Sequence, residues 1–457
     1  MESLTKRILA IVLIAVIGLG VGVTVWMFVA PYQWTAADCP GAPSTITEDQ
    51  IIRIGVLGGL TDIQGIAAKE GAELAAYDIN QAGGVTVGGK TYYIGITSED
   101  TEETNPSLDV AKGVAAAERI ISYKRAQFLT GGFRTESLVV YLETIMDDSL
   151  VFINTGAATD DFCQQVLDEY DRYKYFFRNN PINSSALKVE ALGFLLQYAT
   201  ILNVSKFAIL HEDLDWTTDI VTGLKGGLPA YGAGLPGGPA QIVASIAYPI
   251  TALQSDFDGY MSTINTNGTQ ILVPLISAQG GILMMNSYAS QQPGFVVIGI
   301  DVQSQLDTFW ADSLGNCEFE TILQILYRTN KTATSIPFWD AYKAKFGHEP
   351  LYIASGSYDA IQQYAWAFNK SQSFNSDIIV DTLETITTAN PLSGVGGLGA
   401  FTGSHDIQEG YPYGYALFCQ WQTGGTKVVT PYAIYPASLA TGTLQTPDWP
   451  GWAFNPN

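Results

Sequence analysis

The stretch IIRIGVL, residues 51–57, decides the fold because it is almost continuously apolar over the length of one strand. Such a run is typical of a strand that is buried on both faces of a parallel sheet. A helical pattern over residues 65–80 follows it, with apolar positions at Ala68, Ala72, Ala75, Ala76 and Ile79. A buried strand followed by an amphipathic helix predicts the beginning of a β-α-β unit, and hence an α/β fold.

The same alternation continues along the chain in two series. The first series has predicted strands at residues 92–97, 126–130 and 150–153, with helices between and after them. The second series has predicted strands at residues 206–210, 241–246, 270–273 and 295–298, again with helices between them. Two complete series predict two Rossmann-like lobes, each with a parallel sheet.

A charged heptapeptide, GGFRTES at residues 131–137, lies where a predicted strand ends and a helix begins. Ligands of open α/β sheets bind at the carboxyl ends of the strands, so these side chains are candidate ligand contacts. Arg134 can clamp a carboxylate through two parallel hydrogen bonds. Glu136 either accepts a hydrogen bond from an ammonium group or pairs with Arg134 as a structural ion pair, and the sequence leaves both alternatives open.

The N-terminal residues 1–30 predict a membrane anchor. Residues 8–30 carry no charge and follow Lys6 and Arg7. A helix of that length crosses a hydrocarbon core of about 30 Å, and the preceding cations place the rest of the chain outside the cell. Residues 31–50 are rich in Pro, Gly, Ser and Thr and predict a tether, while a cleaved signal peptide remains the alternative for the apolar run.

Composition excludes some classes of partner and predicts others. The formal net charge of −22 argues against nucleic acid as a partner, since binding there needs a cationic surface. An exported chain can be glycosylated at its Asn-x-Ser/Thr sites, which begin at Asn183, Asn203, Asn267, Asn330 and Asn369. The cysteines either form disulfides or are small buried hydrophobic residues, and the sequence does not decide between these alternatives for Cys39, Cys163, Cys317 and Cys419.

The sequence carries no pattern typical of an enzyme. Its three histidines are isolated, and neither a G-x-S-x-G elbow nor an H-E-x-x-H motif is present. We therefore expect a binding protein without catalytic residues, metal ligands or a cofactor.

The order of several short motifs resembles the leucine/isoleucine/valine-binding type of ABC-transporter substrate-binding protein, which has the type I periplasmic-binding fold. The motifs are IRIGVL at residues 52–57, GAELA at 71–75, TGAAT at 155–159 and SYDA at 357–360. The likeness runs from about residue 51 to residue 431. It implies capture of an amino acid in a cleft between two lobes and delivery to a membrane permease. A sensory ectodomain, or a binder of a non-amino-acid amide or nucleoside, is the alternative.

The resemblance also implies where the chain crosses between the lobes, near residues 180, 319 and 403. The implied division assigns residues 51–180 and 319–403 to the first lobe and residues 181–318 and 404–435 to the second. Residues 436–457 then form a C-terminal tail.

A set of ligand-binding residues follows from the same resemblance and from the strand ends. The Ala157 carbonyl is expected to bind the ammonium group of an amino acid together with Asp301, and Thr159 is expected to bind its carboxylate. The other expected contacts are Gln64, Arg134, Thr135, Glu136, Ser137, Ala158, Trp216, Ser277 and Tyr358. Three of these assignments have structural alternatives: Trp216 as core, and Thr159 and Asp301 as helix N-caps.

Overall fold

The structure of the protein, a computed structural model, describes residues 11–15, 24–28 and 31–449. In the predicted membrane segment, Ile11–Ala15 and Thr24–Phe28 are two short strands that pair antiparallel. This differs from the single helix predicted for residues 8–30, of which the other residues lie outside the described part. Both strands are rich in β-branched residues, which favour extended backbone.

Residues 31–50 do not form the free tether that was predicted. Trp34 and Cys39 are buried against Ile51, the first residue of the adjacent strand. The indole Nε1 of Trp34 also donates a hydrogen bond to the carbonyl of Lys124 (2.5 Å). Burial of one tryptophan therefore holds this segment on the edge of the first sheet.

The first sheet has six strands in the spatial order β2-β3-β1-β4-β5-β6. All of its neighbours are parallel except β2 and β3. Its strands are β1 (Ile51–Gly58), β2 (Val85–Val87), β3 (Lys90–Asp100), β4 (Phe128–Gly131), β5 (Phe152–Asn154) and β6 (Phe176–Arg178). Its helices are α1 (Ile63–Gln81), α2 (Val110–Glu118), α3 (Thr135–Asp147), α4 (Asp161–Asp168) and α5 (Tyr170–Tyr173).

The second sheet has seven strands in the order β8-β7-β9-β10-β11-β14-β15, and its last three strands are antiparallel to one another. Its strands are β7 (Lys206–Glu212), β8 (Gln241–Tyr248), β9 (Ile271–Ile276), β10 (Val296–Asp301), β11 (Thr321–Gln324), β14 (Leu417–Gln422) and β15 (Thr426–Val429). Its helices are α6 (Ser184–Leu202), α7 (Asp215–Tyr231), α8 (Gln254–Thr266), α9 (Gly281–Gln291) and α10 (Thr308–Asp312).

The chain then returns to the first lobe for three helices, α11 (Ser335–Phe346), α12 (Tyr352–Ser371) and α13 (Ser376–Leu383), and a small hairpin, β12 (Leu392–Ser393) and β13 (Leu398–Gly399). Helix α12 crosses α1 so closely that a Cβ on Gly71 would lie 2.1 Å from the carbonyl of Ala354. Strand β11 belongs to the second sheet, so this return follows Gln324 and not Phe319, the crossing that the resemblance implied.

The four cysteines are free and buried in the structure, which is the second of the two alternatives left by the sequence. Among the predicted glycosylation sites, Asn183 is also buried, and its side chain accepts a hydrogen bond from the amide of Ala186 (2.6 Å). The other four asparagines are exposed, and glycosylation stays a prediction for them.

One helix in the described part of the chain, α6, is long and apolar enough to cross a membrane. One face of it, which includes Phe194 and Leu195, is buried in the core, while Val189 and Ile201 on the helix are exposed. Phe194 stacks on Phe418 of β14 with ring centroids 3.5 Å apart. This packing is that of a core helix of the second lobe.

We predict that the protein becomes less stable to heat as the pH rises from about 5 to 7. Burial raises the pKa of the carboxyl groups of Glu103, Glu190 and Asp359 to about 7. The folded chain therefore holds protons that the unfolded chain releases near its ordinary pKa of about 4, so these three groups favour the folded state more at pH 5 than at pH 7. Above that pH the buried amine of Lys331, whose pKa is lowered to about 7, acts in the opposite direction.

Scanning calorimetry between pH 5 and 7 measures this slope. The Asp359→Asn variant is expected to have a flatter dependence of Tm on pH, because it removes one buried titrating group. The Asp312→Asn variant, at an exposed position, serves as the control and keeps the original slope. A Tm that rises from pH 5 to 7 would contradict the prediction.

Candidate functional site

The two lobes are closed on one another, and the carboxyl ends of both sheets face the cleft between them. Hydrogen bonds cross this cleft at three places: Gln64 Nε2 to Ser277 O (3.0 Å), Gln279 Nε2 to Thr104 O (2.9 Å) and Asp215 N to Glu136 Oε1 (2.8 Å). The cleft is where ligands bind in folds of this architecture.

A cavity of about 50 Å³ remains inside the closed cleft. Since one water molecule needs roughly 10–15 Å³ of such volume, the cavity has room for about four water molecules, which suits a small solute. Its wall is mostly apolar and comes from both lobes. The lining residues are Phe133, Arg134, Thr135, Gly156, Ala158, Ile182, Leu187, Trp216, Ser277, Ile300, Val302, Gln305, Leu323, Ile325 and Tyr352.

The one arginine in this wall is placed by the turn between β4 and α3. Gly131 (φ +106°) and Gly132 (φ +78°) both have left-handed backbone, which other residues rarely adopt, and they turn the chain into the helix. Glu103 then fixes the turn, because its Oε2 accepts a hydrogen bond from the Arg134 amide (3.2 Å). Arg134 consequently projects into the cleft from the residue just before α3.

The Arg134 guanidinium is buried and largely unpaired. The residue is 2 % exposed. Its Nε and Nη1 have no hydrogen-bond partner among the described residues, and its Nη2 lies 3.5 Å from Gln279 Oε1. The hydroxyl of Thr135, beside it in the wall, is also buried without a partner. Unsatisfied donors of a permanent cation point to an anionic group as the missing partner.

The TGAAT turn after β5 contributes Gly156 and Ala158 to the cavity, while Ala157 and Thr159 do not line it. The carbonyls of Ala157 and Thr159 accept hydrogen bonds from Arg178 Nη1 (3.3 and 2.7 Å). Thr159 Oγ1 accepts from the Asp161 amide (3.4 Å), but the N-cap of α4 is Asp160, so the cap alternative for Thr159 is wrong by one residue. In this structure, therefore, the two residues expected to hold the ends of an amino acid hold the turn itself.

Arg178 is itself fixed by a buried ion pair. Its Nε and Nη2 bind the two oxygens of Asp406 at 2.8 and 2.5 Å. Arg178 is fully buried, so this bidentate pair positions the turn of the first lobe with little freedom.

Glu212 has the corresponding role in the second lobe. Its carboxylate lies at the end of β7 and is fully buried. Trp216 Nε1 donates to its Oε2 (3.1 Å), as does the Ser277 amide (2.9 Å). The amides of Ala278 and Gln279 donate to its Oε1 (3.1 and 3.3 Å). One carboxylate thus fixes two of the predicted contacts of this lobe, Trp216 and Ser277, in the cavity wall.

Asp301 lies on the opposite face of β10 from the cavity. Side chains alternate along a strand, and its neighbours Ile300 and Val302 are the ones that line the cavity. A Cβ on Gly281, at the start of α9, would lie 2.1 Å from Asp301 Oδ2. Oδ1 accepts a hydrogen bond from the Gln303 amide (3.1 Å), and burial raises the pKa of the carboxyl group to about 7. The structure therefore corrects the assignment of Asp301 to the cleft: its carboxylate binds the amides of Gln303 and Ser304 in the short helix that follows β10, whose N-cap is Val302.

Four other predicted contacts lie outside the cavity wall. Glu136 does not pair with Arg134 as the structural alternative expected, and its Oε1 accepts instead from the first amide of α7 across the cleft. Gln64 also bridges the lobes. Ser137 is buried beside Gly113, and the Tyr358 hydroxyl donates to Asp78 (2.9 Å) between α12 and α1.

Sequence reasoning missed most of the apolar wall and the residues that support it. Ile300 and Val302 follow from the alternation of β10 once the face of Asp301 is known. Glu212 carries a detectable signal, because a carboxylate at the end of a buried strand needs several donors nearby. Gln305 and Tyr352 come from segments that only the tertiary fold brings to the cleft.

Comparison with known proteins gives consistent matches over this whole region. The sequence model of the family described as periplasmic binding protein matches residues 51–425. The Leu/Ile/Val-binding protein homolog 8 of Brucella abortus is 22% identical over 401 residues, which cover 85% of this chain and 91% of that protein.

Solved structures share the fold at low sequence identity. The branched-chain amino acid binding protein LivJ of Streptococcus pneumoniae, in complex with isoleucine, has a TM-score of 0.67 at 18% identity over 82% of this chain and 97% of that one. A solute-binding protein of Rhodopseudomonas palustris, in complex with p-hydroxybenzoic acid, also has a TM-score of 0.67, at 16% identity over 87% of this chain and 98% of that one.

We predict that Glu212→Gln lowers the free energy of unfolding by about 3 kcal/mol, because the amide offers only one acceptor oxygen and turns its own donors towards buried N–H groups. Urea denaturation measures the change. Glu118→Gln, at an exposed position of α2, is the matched control and should change it by less than about 0.5 kcal/mol. Equal stability of the two variants would show that Glu212 does not organise the second lobe.

Proposed function

Because the chain belongs to the periplasmic binding protein family, we propose that it captures a small organic carboxylate between its two lobes and delivers it to the permease of an ABC transporter. The observation that supports this proposal is the unpaired guanidinium of Arg134 in the wall of a closed, apolar cavity.

A carboxylate satisfies Arg134 better than any neutral group. The guanidinium presents parallel donors that match the two oxygens of a carboxylate. Each charge-assisted hydrogen bond contributes about 1.5–3 kcal/mol, and micromolar affinity needs about 8 kcal/mol in total. Two such bonds leave a few kcal/mol, which burial of the ligand's apolar surface in the cavity wall can supply.

The comparisons are consistent with this class of ligand and do not narrow it to amino acids. Structural neighbours hold leucine, isoleucine, benzoate and p-hydroxybenzoic acid, all of which carry a carboxyl group. An amino acid, the ligand that the sequence led us to expect, is one member of the proposed class.

We also propose that residues 1–30 hold the protein at the outer face of the cell membrane. The uncharged run of residues 8–30 after Lys6 and Arg7 supports this proposal. Attachment to the membrane would raise the effective concentration of the protein at its permease.

The first test of this function is Arg134→Met. Titration calorimetry with leucine, isoleucine, benzoate and 4-hydroxybenzoate should give micromolar binding of at least one acid. Loss of two charge-assisted hydrogen bonds should weaken that binding by at least about 100-fold. Arg328→Met, which removes an exposed arginine paired with Asp340, is the control and keeps the affinity. Unchanged affinity in Arg134→Met would overturn the proposed carboxylate site.

The second test concerns the anchor. The full chain, expressed with export, should sediment with membranes and retain its N-terminus when its mass is measured. Deletion of residues 2–30 with a cleavable signal in their place should release it into the soluble fraction. If the mass of the mature protein shows that its chain begins beyond residue 30, the N-terminal segment is a cleaved signal peptide instead.

A further inference from the structure

The cavity wall has a partner for one charged group of a ligand, because Arg134 is the one charged side chain among the described residues that line it. We propose that the captured acid is a monocarboxylate with an apolar body and no α-ammonium group, and that an uncharged hydroxyl on it binds Gln305. This inference rests on the proposed function, since it assumes that Arg134 holds the carboxylate, and it names the rest of the ligand.

An ammonium group would need an anionic or carbonyl acceptor in the wall, and the nearby carboxylates lie outside that wall. No acidic side chain is among the described residues that line the cavity. Both oxygens of Glu212 already accept from its own lobe, and Asp301 faces α9. Glu136 lies outside the wall, where its Oε1 accepts from the amide at the start of α7 and its Oε2 has no hydrogen-bond partner among the described residues. A buried cation without such a partner is strongly disfavoured.

The carbonyls of the turn after β5 are engaged as well. Ala157 O accepts from Asn154 Nδ2 (2.9 Å) and also from Arg178. Ala158 O accepts from the Ser184 amide (2.8 Å), and Thr159 O accepts from Arg178 (2.7 Å). The backbone that would hold an amino group is thus occupied by protein donors in the closed state.

The rest of the wall suits an uncharged body. Phe133, Ile182, Leu187, Trp216 and Val302 present apolar surface to the cavity. A small aliphatic or aromatic acid would bury its body there without leaving any polar atom unpaired.

Gln305 is a polar residue of the second lobe in this mostly apolar wall. It is 3 % exposed, and its Oε1 has no hydrogen-bond partner among the described residues. Its backbone is fixed, because the carbonyl accepts from Lys427 Nζ (2.7 Å) and Gln324 Nε2 (3.2 Å). A hydroxyl on the ligand is the neutral donor that would satisfy this oxygen.

The experiment compares matched pairs of acids by titration calorimetry on the full chain in detergent. Leucine is paired with 4-methylpentanoate, which is the same molecule without its amino group, and benzoate is paired with 4-hydroxybenzoate. We expect 4-methylpentanoate to bind at least 100-fold more tightly than leucine. We also expect 4-hydroxybenzoate to bind more tightly than benzoate, and Gln305→Met to bring the ratio of these two affinities close to one.

The outcomes separate this inference from the proposed function. If leucine binds as tightly as 4-methylpentanoate or more tightly, and if this binding depends on Arg134, the inference is overturned and the carboxylate site remains supported. Binding of none of the four acids would overturn both. If Gln305→Met unfolds, as judged by its Tm, Gln305→Leu replaces it because it also removes the acceptor oxygen, and an unchanged ratio in the folded variant would overturn the role of Gln305.

Discussion

The organisation of the cleft depends on one electrostatic constraint, which is that a guanidinium cannot shed its charge when it is buried. Arg134 is held in the wall by a glycine turn and by the bond from its own amide to Glu103. Its Nε and Nη1 donors have no hydrogen-bond partner among the described residues, although they are buried. Burying an unpaired cation costs free energy, and an anionic ligand that accepts its hydrogen bonds offsets that cost. The other residues of the site hold Arg134 in position for this ligand.

Each lobe fixes its part of the wall with a buried ionic side chain, and the two lobes use opposite signs. The first lobe uses the Arg178–Asp406 pair, which binds the carbonyls of its ligand turn. The second lobe uses Glu212, which collects amides and the indole of Trp216. The cation of Arg178 donates hydrogen bonds to carbonyl groups, and the anion of Glu212 accepts hydrogen bonds from N–H groups. In each lobe a single side chain therefore fixes the backbone at the edge of the cleft.

The sequence predicts those parts of the site that follow from local pattern. Arg134 and Thr135 could be placed because a turn after a buried strand faces the cleft in every fold of this architecture. Asp301 could not, because position at a strand end does not tell which of the two faces a side chain takes, and a shift of one residue exchanges them. The packed segment at 31–50 was hidden for another reason: its composition is that of a linker, while a single tryptophan decides its position.

That tryptophan has a mechanical consequence. A chain segment that is packed against a lobe does not behave as a flexible linker. Anything that is attached at Pro31 would therefore be rigidly coupled to the first lobe. When the cleft opens and closes, the first lobe, which carries residues 31–50, would then keep its position relative to the attachment at Pro31. The second lobe, which carries Glu212 and Trp216, would make the movement.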